Sequence, residues 1–107
     1  MFTYSINQMD SKSIVSFEGD MDIDVTEILE DELPSSLYVC KEIILNFGKV
    51  SFVDSSGIGL LISLIQDLRE RGIRVVISHL KPDVKEVFFL LQLPEILGYN
   101  VFEVDEV

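Results

Sequence analysis

Between Val50 and Leu68 a short apolar strand pattern gives way, within a few residues, to a long helical one. The junction reads Asp54-Ser55-Ser56-Gly57, and Ile58, Leu61, Ile65 and Leu68 then recur at helical spacing. A strand that feeds straight into a helix commits the chain to an α/β architecture. It also sets the turn residues at a helix N-terminus, where backbone N–H groups lack intrahelical partners. Aspartate and serine are preferred at such a position because their oxygens accept those hydrogen bonds. The same field tolerates added negative charge.

The flanking segments agree with that class. Phe2, Tyr4 and Ile6 alternate with polar residues as in a half-buried strand, Asp10-Ser11-Lys12 reads as a turn, and Ser13 to Glu18 reads as a second strand. Together they predict an antiparallel hairpin, with Gly19-Asp20-Met21-Asp22 carrying the chain out of it. Asp24 and Glu27 have the spacing of a capping box, so a helix is expected from there until Pro34 ends or kinks it near Leu33. Ser35 to Lys41 is assigned to a turn. Ile43-Ile44-Leu45 marks a strand buried on both faces over Glu42 to Phe47, and Gly48-Lys49 reads as a break.

The central helix is expected over Ser56 to Arg71, with Ile62 beside its core stripe, Leu60 and Leu64 on a flanking face, and Gly72 as its stop. Ile73 to Ser78 is another buried strand. Pro82 opens a helix with Val84, Val87, Phe88 and Leu91 as its core face, Pro94 and Gly98 end it, and Val101 to Val104 add an edge strand. Glu103-Val104-Asp105-Glu106 reads as a solvated tail. Strand–helix alternation implies a mixed sheet, a hairpin plus parallel strands, packed with helices in a single domain over 1–107.

Composition narrows the function. Eight basic and nineteen acidic residues leave a net charge of −11, which disfavours nucleic acid and anionic membrane surfaces as partners. Cys40 is the only cysteine, so no intrachain disulfide forms, which fits a reducing compartment. No signal peptide or membrane span is expected, and the chain reads as cytoplasmic. Gly57 and Gly59 do not continue into a dinucleotide fingerprint, because Ile62 stands where its third glycine belongs, and no Gly-Lys-Ser/Thr follows. They read as small residues that let a partner approach the helix start. His79 is the only histidine and no Gly-x-Ser-x-Gly elbow is present, so neither a hydrolase nor a metal site is expected, and no cofactor.

With these residues in hand, the chain resembles the STAS-domain anti-sigma factor antagonists. The resemblance rests on Asp54-Ser55-Ser56-Gly57-Ile58-Gly59, preceded by Leu45-Asn46-Phe47 and Ser51-Phe52-Val53, on Gly19-Asp20-Met21-Asp22, and on the Val84-to-Phe88 segment after Pro82. It implies a non-enzymatic protein whose turn serine is phosphorylated by a cognate anti-sigma factor, a GHKL-type serine kinase, and dephosphorylated by a PP2C-type phosphatase. The unphosphorylated form would capture the kinase and free a sigma factor. Ser56 is the expected phosphosite, matching the sporulation type, and Ser55 the alternative, matching the general-stress type.

Partner contacts are expected at Asp20, Asp22, Asp54, Ser55, Ser56, Gly57, Ile58, Gly59, Leu60 and Leu64. Many members carry Glu where this chain has Asp20. Read locally, Ser55 and Ser56 are more simply a pair of capping residues without chemistry, and the resemblance reverses that preference; Asp54 is either a cap or a group that orients the serine hydroxyl. Asp20 and Asp22 lack a second catalytic group and read as a surface contact or turn. The alternative function is a structural or sensory STAS module, in a stress-signalling assembly or of the transporter-associated type, without a dedicated kinase. A nucleotide-binding domain is a third, weaker reading.

Overall fold

The computed structural model describes residues 2–102. Its elements are β1 (Thr3–Met9), β2 (Lys12–Met21), a 3₁₀ turn (Ile23–Val25), a π-helical segment (Glu27–Glu32), α1 (Pro34–Leu37), β3 (Glu42–Val53), α2 (Ser55–Glu70), β4 (Arg74–Ser78), α3 (Pro82–Leu90), α4 (Leu93–Leu97) and a second 3₁₀ turn (Tyr99–Val101). The four strands lie in the order β1-β2-β3-β4, β1 antiparallel to β2 and the rest parallel. The expected mixed sheet with an N-terminal hairpin is therefore present.

Sequential parallel strands joined by right-handed crossovers put their connections on one face of the sheet. In keeping with that rule, α2 touches the first 3₁₀ turn, the π segment, α1 and α4, so these elements form one layer. Val15, Phe17, Ile43, Leu45, Val75 and Ile77 are buried. The alternate residues Lys12, Ile14, Ser16, Glu42, Ile44 and Asn46 are only half-buried. There Lys12, Glu42 and Arg74 lie in register, and Arg74 Nη1 donates to Glu42 Oε2 at 2.5 Å. Edge-to-face contacts link Phe17 to Phe47 and Phe47 to Phe88, with ring centroids 5.4 and 5.6 Å apart, tying β2 and β3 to α3.

Several boundaries differ from the sequence reading. β2 runs on through Gly19, Asp20 and Met21 instead of leaving the sheet at Glu18. β3 is one strand of 12 residues, and the expected break at Gly48-Lys49 is a bulge. Ser16 pairs with Asn46 but Glu18 with Lys49, so β3 carries an extra residue there, and a second one between Val50 and Phe52. The side chain of Asn46 accepts from Gly48 N–H at 2.8 Å, satisfying a donor the bulge takes out of the ladder.

The segment before β3 is not the single capped helix expected from Asp24. Its cap is Asp22, whose Oδ1 accepts from Asp24 N–H at 2.9 Å. The chain then widens into π geometry, with Leu33 N–H donating to Ile28 C=O at 2.8 Å. Pro34 opens α1 rather than stopping a helix, because a proline's missing N–H is harmless at a first helical position. Pro94 likewise lies in the first turn of α4, after Gln92 has turned into the left-handed region and closed α3. Leu91, expected in the core, is 37% exposed beyond that closure. Of the expected edge strand, Val101 belongs to a 3₁₀ turn and Phe102 makes one parallel bridge with Ile77. The remainder of that strand and the acidic tail fall outside the described residues.

Two phenol–carboxylate bonds hold the helical layer in place. Tyr4 donates to Glu32 at 2.7 Å, and Tyr38 donates to Asp67 at 2.8 Å with the Arg71 guanidinium 3.6 Å above its ring. Each accepting carboxylate raises its tyrosine's pKa above the ordinary phenol range, aided by partial desolvation; at Tyr38 the nearby Arg71 charge opposes the rise. A raised folded pKa means that these bonds stabilise fully below about pH 10, where the unfolded phenols are also protonated, and that this contribution fades as pH climbs through the folded values. In melting scans, the stability gap between the native chain and a Tyr4→Phe/Tyr38→Phe double variant should therefore hold below about pH 10 and close as pH rises above it.

Candidate functional site

The parallel strands β2 and β3 end side by side, with Met21 paired to Val53. The two extra residues in β3 lengthen it enough to bring Asp54 up to the end of β2, where Asp54 N–H donates to Met21 C=O at 3.1 Å. The chain turns there into α2, whose first residue is Ser55. Asp54 is extended, and its Oδ1 accepts from Gly57 N–H at 2.9 Å. Ile58 N–H donates to Asp54 C=O at 2.9 Å as the first helical bond. Asp54 is thus a helix cap, and the turn it closes is held from both sides. Ser55 and Ser56, the first two residues of α2, are both exposed.

The two glycines of the turn have different jobs. A Cβ on Gly57 would fall against the Met21 carbonyl, 2.6 Å from its carbon. Gly57 therefore allows α2 to seat on the end of β2, an internal fit and not the external approach expected for it. Gly59 has nothing within 4 Å of an added Cβ and faces open surface. Ile58 and Leu64, expected among the contact residues, are 2% and 3% exposed. Leu64 is covered because the segment preceding β3 folds across that flank of α2, which the helix periodicity alone could not reveal. Leu60 stays half-buried at the lip of a shallow groove lined also by Leu29, Glu30, Pro34, Tyr38 and Leu64.

Asp20 is exposed on β2, opposite Phe52, and Asp22 is half-buried in its capping role. Asp20, Asp22, Asp54, Ser55 and Ser56 thus converge on one end of the sheet. The structure adds two apolar side chains there: Phe52 is 49% exposed and Ile23 60%. The signal for Phe52 was weak, since only the register slip in β3 puts it outside. At the same end Lys81 Nζ donates to Ser51 Oγ at 3.2 Å. His79 has a left-handed backbone, and its Nδ1 lies 3.0 Å from Ser78 Oγ. No group of His, Cys, Asp and Glu suited to a metal occurs among the described residues.

Charge sharpens the picture. From Glu18 to Glu32 there are eight acidic residues, and no basic residue stands between Ser13 and Cys40. This stretch includes the turn beside the serines and the π segment against α2, so this side of the domain is strongly negative. Among the described residues no helix is long and apolar enough to cross a membrane.

A single mixed sheet, one layer of helices and a serine-bearing turn at the sheet's parallel end define a small α/β domain. The family model for the STAS domain matches residues 3–105, and the chain belongs to that family. Three of the solved structures that share its fold illustrate the likeness. The Bacillus cell fate determinant SpoIIAA in its phosphorylated form is 20% identical, with a TM-score of 0.69 over 97% of this chain and 92% of that one. An anti-sigma factor antagonist from Mycobacterium paratuberculosis is 18% identical, TM-score 0.74, over 89% and 81%. A sulfate transporter family protein from Wolinella succinogenes is 20% identical, TM-score 0.76, over 86% and 75%.

The glycine pair gives opposite expectations. Gly57→Ala forces α2 off the Met21 carbonyl and should destabilise by about 1–3 kcal/mol, as overpacking does. Gly59→Ala meets open space inside a helix and should stabilise by about 0.5–1 kcal/mol. Urea unfolding of both variants reads the two signs.

Proposed function

We propose that the chain is an anti-sigma factor antagonist whose capture of a kinase partner is switched off by phosphorylation of Ser56, with Ser55 the alternative site. The observation that carries this reading is the pair of exposed hydroxyls at the first two positions of a helix whose cap and seat are already satisfied by other groups. A phosphoryl group added there disturbs no existing contact of Asp54, and the helix N-terminus favours the anion. The likeness to SpoIIAA, a protein solved in a phosphorylated form, supports it.

The switch works on the partner rather than on the fold. A phosphoserine adds about −1.5 to −2 charges. Facing the nucleotide phosphates held by a GHKL-type serine kinase, each unit repulsion at ~5 Å and an effective dielectric of ~20 costs roughly 3 kcal/mol. That is on the order of a hundredfold in affinity, enough for release. Asp20, Phe52, Ile23, Gly59 and Leu60 supply the surrounding contact surface, and the acidic side suits a partner that is basic there. A PP2C-type phosphatase resets the serine. The protein acts as a binding module in the cytoplasm and carries out no reaction itself.

A second reading, a structural or sensory STAS module without a kinase, is favoured by the likeness to the Wolinella succinogenes sulfate transporter family protein. Incubation with a candidate anti-sigma kinase and ATP separates the two, since only the first predicts phosphate on the turn, mapped by intact mass and fragmentation. Ser56→Ala should block labelling yet retain capture, whereas Ser56→Asp should weaken capture. Phosphorylated protein should keep its circular dichroism and melting temperature; an early melt would count against a switch that spares the fold. Separately, Leu60→Asp should weaken capture about tenfold, as loss of a moderate interface contact does, with the fold retained.

A further inference from the structure

We propose that the half-buried face of the sheet holds a binding site for a small carboxylate carrying an apolar body. Parallel strands are normally covered on both faces, yet on this one Ile14 and Ile44 stay half-buried. A cavity of about 420 Å³ opens there, a size that small-molecule sites share. Its floor is Ile44 and Val76, which are neighbours in register on β3 and β4. Its far wall is Phe102, which the bridge to Ile77 holds beside β4. The rings of Phe88 and Phe89 lie 6.3 and 5.7 Å from that of Phe102 and fix the wall in place.

Charge decides what enters. Lys12, Glu42 and Arg74 lie in register across β2, β3 and β4, beside the apolar floor, and all three line the cavity. Glu42 opposes an anion, but it engages Arg74 through Nη1 alone, and a guanidinium has further N–H groups to donate. Among the described residues Lys12 has no carboxylate within salt-bridge reach. The lining therefore sets two cations against one carboxylate, in a chain whose net charge is −11. A carboxylate suits the planar fork of Arg74, and the amide of Asn100, also on the lining, is a further donor. A bare inorganic anion would leave Ile44, Val76 and Phe102 uncovered, so the charge belongs on a hydrocarbon body. Glu42 begins β3 and the serine turn follows its other end, so this site is separate from the switch.

Titration of the isotope-labelled full chain with phenylpropionate at physiological salt, followed by amide chemical shifts, should saturate with a Kd of about 1 mM or below. The largest shifts should fall at Ile44, Val76 and Phe102, with none at Ser55 and Ser56. Phenylpropylamine, of the same shape and opposite charge, should bind at least about tenfold more weakly, and Lys12→Gln should weaken phenylpropionate about tenfold, as loss of a charge-assisted hydrogen bond does. Glu42→Gln should instead tighten it about threefold, because the opposing carboxylate is gone and Arg74 is released. A variant with Gln at Glu103, Asp105 and Glu106 should bind within about threefold of the native chain. Shifts that do not saturate by about 10 mM, or equal binding of the amine, would overturn the proposal. So would weaker binding by Glu42→Gln with native circular dichroism. A gain of about tenfold on removing the three tail charges would assign the cavity to the chain's own acidic end and overturn it too.

Discussion

The seat of α2 on the end of β2 governs the functional end of the molecule. Asp54 N–H binds the Met21 carbonyl, and Gly57 lies against that carbonyl from the other side. One backbone oxygen thus locates both the exit of β3 and the first turn of the central helix. Because Asp54 also caps that helix through Gly57 N–H, neither serine is needed to hold the turn together. Position is supplied by the aspartate and the glycine, and both serines stay exposed.

That seat depends in turn on β3 being too long for its partner. Two extra residues against β2 carry the strand end out to Met21 and roll Phe52 into solvent opposite Asp20. A regular ladder would have kept a strict alternation of buried and exposed side chains through Val53. Here Ser51 and Phe52 are exposed in succession, and the register slip is what turns both outward.

Much of this was legible in the residues. Apolar alternation gave the hairpin, the continuous Ile43-Ile44-Leu45 and Val75-Val76-Ile77 runs gave the parallel strands, and the four-residue junction gave the cap. What stayed hidden involved partners distant in sequence. Gly48 reads as a breaker in any local window, yet the Asn46 side chain makes it a bulge. Pro34 and Pro94 read as stops, although a proline ends one helix and begins another with equal ease, and the choice rests on whether the preceding backbone has already turned. Leu64 was placed on a flank by helical periodicity, which reports direction around the axis and not what lies across from it. Gly57 looked like an external clearance because nothing in sequence pointed to Met21, 36 positions earlier.

The charge distribution then separates two kinds of surface. The stretch Glu18 to Glu32 gathers eight carboxylates beside the serine turn, whereas β1 carries none. Like charge repels wherever two acidic sides would meet, so this side of the domain is kept from pairing with itself. A basic partner would experience the opposite preference and be drawn to the serine end. On the proposed function, a single acidic segment would both steer the partner to the serine turn and keep that surface from being occupied by a second copy of the chain.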